Sequence, residues 1–286
     1  MGNNNSNINI TNNYASYKAR GDDNNLYVIV TIFNPCNFNT RINLYYEFIE
    51  RLKKHRNIKI YTTECVFGDQ SFTVTEPKNP LHLQIRTNDI WWVKENLINF
   101  TVTKLPQSSQ YIAWLDADIE FTDDNWVYET IRKLSSGYKV LQLFNNAMFL
   151  GPNGEIGKIE KSFGSHVTND NFENSYPHPG LGWAMKKDAF IEMGGLFDLN
   201  PVGSGDLHFA HALIGNIKNT IKNTMSDGYK NSVEEWANQV SNVVGKTKAE
   251  YMKTVGYVNV DIKHHFHGNE KNRQYVERWN ILEKYN

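Results

Sequence analysis

Asp116 and Asp118 stand two residues apart at the end of the apolar run Tyr111-Ile-Ala-Trp-Leu115. Carboxylates at i and i+2, leaving a buried strand, can flank a hard divalent cation or hold a ribose hydroxyl. Near the other end of the chain His264, His265 and His267 cluster together. In extended backbone, positions i and i+2 point to the same side, so His265 and His267 are placed to share one metal. Imidazole with carboxylate suits Mn²⁺ or another borderline ion better than Ca²⁺. A third constellation is Pro201-Val-Gly-Ser-Gly-Asp206. Its glycines allow a tight backbone path close to a ligand. Asp206, at the start of a helix, could take a proton from a hydroxyl as a general base. Each group also has a plainer reading: a solvated acidic loop, a polar tail, and a helix N-cap. His208 and His211 lie one helical turn apart and are read as packing or surface residues. In Trp91-Trp92-Val-Lys94, two adjacent indoles cannot share one helix stripe. One could belong to the core and the other stack on a base, with Lys94 able to pair with a phosphate, though an aromatic core helix is the plainer and preferred reading of these residues.

The elements that must position these residues are legible from periodicity. Leu26 to Phe33 is a continuous β-branched and aromatic run, the pattern of a strand buried on both faces of a parallel sheet. Asn39-Thr40 resembles an N-cap before a helix carrying Ile42, Leu44, Tyr45, Phe48, Ile49 and Leu52. Ile58 to Tyr61 is a second strand, which makes a β-α-β unit. Further strands are expected at 82–85, 111–115, 140–144 and 182–185. Helices are expected at 90–100, 127–134, 187–193, 206–213, 232–244 and 272–284. The stretch 151–179 reads as loop. In open α/β sheets, ligands bind outside the carboxyl ends of the strands, which is where Asp116 and Asp118 fall.

The chain has 286 residues with a formal net charge of −1. Neutrality lacks the clustered positive surface of a non-specific nucleic-acid binder. Two cysteines, Cys36 and Cys65, are too few for a disulfide framework. The first residues are Asn-rich, without a basic segment followed by an apolar one, and no apolar run reaches the ~20 residues of a membrane span. The expected location is the cytoplasm (host cytoplasm if the source is viral), unless the chain is a catalytic domain cut from something longer. Residues 1–25 are read as a disordered or loosely attached arm and 26–286 as a single catalytic domain. Its nucleotide-binding half is 26–150 and its acceptor-binding half 151–286, with an acceptor-specific insertion expected at Asn216 to Tyr257.

Taken in order, these segments resemble inverting GT-A glycosyltransferases, most of all the β-1,4-galactosyltransferase group and related viral and bacterial enzymes. Thr31-Ile-Phe-Asn-Pro35 looks like the family's nucleotide-holding turn, though without its arginines. Trp92-Val-Lys94 with Leu97-Ile-Asn99 looks like the uridine-contacting helix. Asp116-Ala-Asp118 matches D-x-D, and Gly180-Leu-Gly-Trp183 matches the sugar and acceptor segment. Gly203-Ser-Gly-Asp206 resembles the base motif but lacks its Glu, and His265-Phe-His267 matches a His-x-His that binds Mn²⁺. Gly268, Arg273, Tyr275 and Arg278 look like the segment that closes over the donor.

The resemblance implies a Rossmann-like α/β fold with a mixed central sheet flanked by helices. It implies a hexose transferred from a UDP-sugar to an acceptor hydroxyl of a glycan, protein or small molecule. The cofactor would be Mn²⁺ or Mg²⁺. Asp118, His265 and His267 would hold the metal. Phe33, Asn34, Trp92, Lys94, Asp116 and Arg273 would join Asp118 on the nucleotide. Gly182, Trp183 and Gly205 would line the sugar, and Asp206 would be the base. Losing either histidine of the pair should then weaken metal-dependent UDP binding as surely as losing Asp118. Rival readings are a non-catalytic carbohydrate-binding protein, a metal-dependent hydrolase built on the His cluster, and a retaining transferase.

Overall fold

A computed structural model describes residues 23–169, 177–268 and 277–284. The chain runs β1 (Asp23–Phe33), α1 (Asn39–Leu52), β2 (Ile58–Phe67), β3 (His82–Thr87), α2 (Lys94–Lys104), β4 (Ser109–Leu115), β5 (Ile119–Phe121) and α3 (Trp126–Ser135). Then come β6 (Val140–Gln142), β7 (Asn146–Leu150), β8 (Ile156–Lys161), α4 (Phe163–Asn169), β9 (Gly182–Lys186), α5 (Lys187–Glu192) and α6 (Gly205–Leu213). A 3₁₀ turn at Ile217–Thr220 leads to α7 (Asp227–Val244), α8 (Lys248–Thr254), β10 (Val255–Tyr257), β11 (Ile262–His264) and α9 (Trp279–Lys284).

The main sheet has the order β10-β6-β9-β4-β1-β2-β3. It is parallel except for β9, which runs antiparallel between β4 and β6. A smaller sheet, β5-β11-β7-β8, lies beside it. This is the expected mixed α/β architecture with helices on both faces.

The apolar run of β1 at 26–30 follows from its place in the middle. Tyr27 and Ile29 face one core, shared with α2, α5, α6 and α7. Leu26, Val28 and Val30 face the other, shared with α1, α3 and the small sheet. Side chains alternate across a strand, so burial on both faces demands apolar residues at every position. Each such side chain contributes about 1.5–3 kcal/mol by leaving water.

Several boundaries differ from the sequence reading. α1 is entered from Phe38 without a side-chain cap, because Asn34 instead brackets the turn by bonding both the amide and the carbonyl of Phe38. α2 starts at Lys94 rather than residue 90, so neither Trp91 nor Trp92 is helical. Part of the stretch read as loop forms β8 and α4. The supposed insertion is integral: Val233, Trp236 and Val240 of α7 are buried in the first core, and β10 is an edge strand of the main sheet. Most of the 1–25 arm lies outside the described residues. Among the described residues, no helix is long and apolar enough to cross a membrane.

Candidate active site

The carboxyl ends of β1, β2 and β4 lie along one edge of the main sheet. β9 begins there, because it is antiparallel and Gly182 pairs with Leu115. This edge therefore gathers Phe33-Asn34, Asp116 to Asp118, Gly180 to Gly182, and the start of α6. Non-glycine residues with positive φ among the described residues are Asn37 (54°), Leu181 (76°) and Ser204 (78°). All three belong to the loops of this edge, and such outliers concentrate at functional sites.

Asp118 Oδ2 lies 3.0 Å from His267 Nε2 and 3.7 Å from His264 Nε2. The ligand atoms of these three residues fall within 4.8 Å of one another. Asp118 Oδ1 is buried and has no hydrogen-bond partner. Burial alone would raise the Asp118 carboxyl; the bond from His267 and the charge of both imidazoles overcome it and hold the group below the usual carboxylate range. A buried charged acceptor left unpaired costs more than about 1–3 kcal/mol. A borderline divalent ion between one carboxylate and two imidazoles would satisfy it, so the donor set fits Mn²⁺ or a similar cation.

His265 is not in this group. β11 pairs with β5 so that Lys263 stands opposite Glu120 and His264 opposite Ile119. Strand alternation then puts Lys263 and His265 on the Glu120 side, at 2.8 and 3.1 Å from its carboxylate. Extended pairing ends at His264. Beyond it the chain bends, and His267 returns to the face of His264, with ring centroids 5.2 Å apart. The expected i, i+2 pair is thus an i, i+3 pair. His265 contributes by its backbone, whose N–H donates to the carbonyl of Asp118 at 2.8 Å.

Next to this group is a second cluster of charges. Lys94 Nζ is 2.6 Å from Asp116 Oδ1, so its partner is a carboxylate of the D-x-D and not an open phosphate position. Burial works against the Lys94 ammonium, but Asp116, Asp206 and Glu95 outweigh it and hold the pKa above the usual lysine range. Burial likewise opposes the Asp206 carboxylate, while Lys94, a backbone N–H, His178 and Arg278 keep it ionised.

Asp206, Lys94, Glu95, Gly180 and Gly205 line one cleft. The glycines are needed by their neighbours: a Cβ on Gly180 would collide with Asp206 Oδ2, and one on Gly205 with the Glu95 carboxylate. Gln142 fixes the loop that carries Gly180. Its Nε2 donates to the carbonyls of His178 and Gly180, both at 3.0 Å, and its Oε1 accepts from the Gly164 amide at 2.9 Å. The Gly180 N–H donates to His178 Nδ1 at 3.1 Å, which sets the His178 ring beside Gly180.

The remaining expected residues divide. Phe33 packs edge-on to Trp92, with centroids 5.1 Å apart, and Trp92 Nε1 donates to Glu95 at 2.9 Å. Trp92 is thereby fixed, and Trp91 is the exposed indole, at 55%. The Asn34 amide is committed to Phe38. Trp183 is a core residue: its indole donates to the Pro179 carbonyl at 2.8 Å and packs edge-on against Phe209, so no sugar can stack on it. Gly182 is set against Leu115, which a Cβ would strike. Arg273 lies outside the described residues. His208 is buried between Thr220 and Tyr229 and is structural.

Glu95 and Gln142 went unread in the sequence, since a Lys-Glu pair and a lone Gln carry no motif. Burial, then Asp206, pushes the Glu95 pKa up to about 7 from an ordinary 4.5. The native state therefore keeps this proton after the unfolded chain has lost it, and stability falls as pH rises from about 4.5 to 7. Glu95→Gln, neutral throughout, is expected to match the parent at pH 5 and exceed it at pH 8 by at most about 3 kcal/mol. Thermal melting of both proteins across that range checks it; parallel curves would mean Glu95 is charged throughout.

No protein-family model matches the chain, and no curated protein does. Solved structures do overlap with it. The catalytic domain of Drosophila β1,4-galactosyltransferase 7, in complex with xylobiose, is 14% identical with a TM-score of 0.38; the match covers 65% of this chain and 59% of that one. GalNAc-T7 with UDP, GalNAc and Mn²⁺ is 11% identical, TM-score 0.48, over 85% of this chain and 44% of that one. Glucosyl-3-phosphoglycerate synthase from Mycobacterium tuberculosis, with Mg²⁺ and UDP, is 6% identical, TM-score 0.45, over 90% and 76%. These neighbours are glycosyltransferases of the GT-A type.

Proposed function

We propose that this chain is a GT-A glycosyltransferase that moves a hexose from a UDP-sugar to an acceptor hydroxyl with inversion, using a divalent cation held by Asp118, His264 and His267. The observation that carries this reading is the Asp118 carboxylate, whose Oδ2 faces the imidazoles of His264 and His267 while its buried Oδ1 has no partner, at the carboxyl edge of the main sheet, beside a separate ionised carboxylate, Asp206. A bound Mn²⁺ or Mg²⁺ would offset the charge that gathers on the departing diphosphate.

The other steps belong to the protein. The end of β1, with Phe33 packed on Trp92, forms the floor for the nucleotide. Lys94 fixes the rotamer of Asp116 through Oδ1 and the Leu181 carbonyl takes its backbone N–H, which leaves the second carboxylate oxygen to meet the ribose. Asp206 takes the proton of the acceptor hydroxyl as its oxygen bonds to the anomeric carbon and the carbon–phosphate oxygen bond breaks on the opposite face. UDP leaves with the electron pair.

The test is calorimetric titration of UDP with Mn²⁺ and with chelator, followed by a hydrolysis panel of UDP-glucose, UDP-galactose and their N-acetyl forms. Metal-dependent binding with turnover of at least one donor supports the reading. A carbohydrate-binding protein would ignore both UDP and metal. A metal hydrolase would release sugar yet show no gain in transfer on adding any acceptor. The configuration of the product separates inversion from retention.

A further inference from the structure

The segment just before α9 carries Arg278 back to the start of α6. It is docked there by Trp279, whose ring lies 5.7 Å from that of His208, and by the Lys222–Glu283 ion pair at 3.2 Å. Arg278 Nη2 donates to Ser204 Oγ at 2.6 Å. Ser204 immediately precedes α6 in a left-handed conformation, φ 78° and ψ 17°. That conformation is unfavourable for a residue with a Cβ. Its side chain does not cap the helix; the hydroxyl is turned to Arg278 instead.

The loop is gripped from two sides. A Cβ on Gly203 would lie 3.0 Å from the Trp92 indole and 3.1 Å from Arg278 Nη1, so the backbone passes between them. Trp92 is in turn held by Glu95. Two residues after Ser204, Asp206 rests its carboxylate against Gly180, where a Cβ would collide with Oδ2. No side-chain cap holds the start of α6, so the contacts of Arg278 with Ser204 and Gly203 add what the local turn bond from the Gly203 N–H to the Asn200 carbonyl does not.

We propose that Arg278 is a positioning residue: by holding Ser204 in its left-handed conformation it aims Asp206 into the cleft, so that the C-terminal segment completes the active site. This rests on Asp206 as the base. Glycine adopts the same φ without steric cost, so with glycine at 204 the loop no longer needs to be held.

A double-mutant cycle tests this, made of Arg278→Ala, Ser204→Gly and their combination. Each protein is assayed with the UDP-sugar donors above, water as acceptor, and by Mn²⁺-dependent UDP titration. Arg278→Ala alone is expected to lower kcat by about 10–100-fold, the effect of a displacement on the order of 1 Å. Donor KM and UDP affinity should stay within about two-fold, since the metal ligands are elsewhere and Trp92 stays held by Phe33 and Glu95. In the Ser204→Gly background the same substitution should cost less than about three-fold, a coupling expected only of groups acting through one another. Arg278→Lys, which keeps the charge and a single donor nitrogen, should recover part of kcat, and its cycle replaces the alanine cycle if Arg278→Ala does not fold.

Equal losses in both backgrounds overturn the proposal: Arg278 then acts without Ser204, through its charge on Asp206 or on the substrate. A raised donor KM at constant kcat overturns it in favour of a donor-closing role. No loss in either background removes any role. Asp206→Asn is run alongside. If it keeps full turnover, the base assignment fails whatever the cycle gives. If it loses turnover while the cycle is additive, only the Arg278 proposal fails.

Discussion

Asp206→Asn is expected to lower sugar transfer by about 10²–10⁴-fold, the usual worth of a positioned general base. The substitution keeps the volume of the side chain, so its fit against Gly180 persists; it removes the ability to accept a proton together with one of the negative charges near Lys94, which keeps its partner Asp116. Metal-dependent UDP binding should therefore be unchanged. The neighbouring carboxylate makes this a sharp test. Glu95 titrates near neutrality, as an efficient base would, but one oxygen accepts from Trp92 and the other faces Gly205. If Asp206→Asn retained activity and Glu95→Gln lost it, the base would be Glu95 and the hydroxyl would enter from the other side of Lys94. Rates at saturating donor, with and without added sugar acceptors, separate these outcomes.

The second large effect concerns the cation. Asp118→Asn, His264→Ala and His267→Ala are each expected to weaken Mn²⁺-dependent UDP binding by more than the roughly 10–100-fold typical of losing a mere supporting partner. His265→Ala should change it by less than about three-fold, because its ring faces Glu120 and its role at Asp118 is through the backbone amide. UDP titrations at fixed Mn²⁺ measure all four. A large loss in His265→Ala, with His264→Ala silent, would restore the i, i+2 pair and show that the loop rearranges on binding metal. Asp116→Asn sits between these cases: it unpairs a buried Lys94 ammonium, so its damage should appear in stability as well as in binding.

The two aspartates of the D-x-D were legible because a strongly apolar strand precedes them, and position after such a strand is a local property. The histidine cluster was legible too, as three titratable rings close together. Which two of them face Asp118 was not, since it depends on where β11 stops pairing with β5 and the chain bends. Trp183 was misread for a related reason. A Trp beside glycines looks like a sugar platform, but β9 is the antiparallel strand inserted between β4 and β6, and the pairing of Trp183 with Trp114 turns the indole into the core. The same topology makes the Trp236 helix a structural layer rather than an insertion.

By itself the sequence determined the alternation of buried strands and amphipathic helices, the edge at which chemistry would lie, and the residue types able to perform it. Those follow from hydrophobic periodicity and from side-chain chemistry, both carried by short windows. Only the tertiary structure decided the partners: His264 in place of His265, Lys94 on Asp116, Glu95 against Gly205, and Arg278 on Ser204. These contacts join residues up to a hundred or more positions apart on elements whose relative placement is set by how whole faces pack, and no short window contains that information.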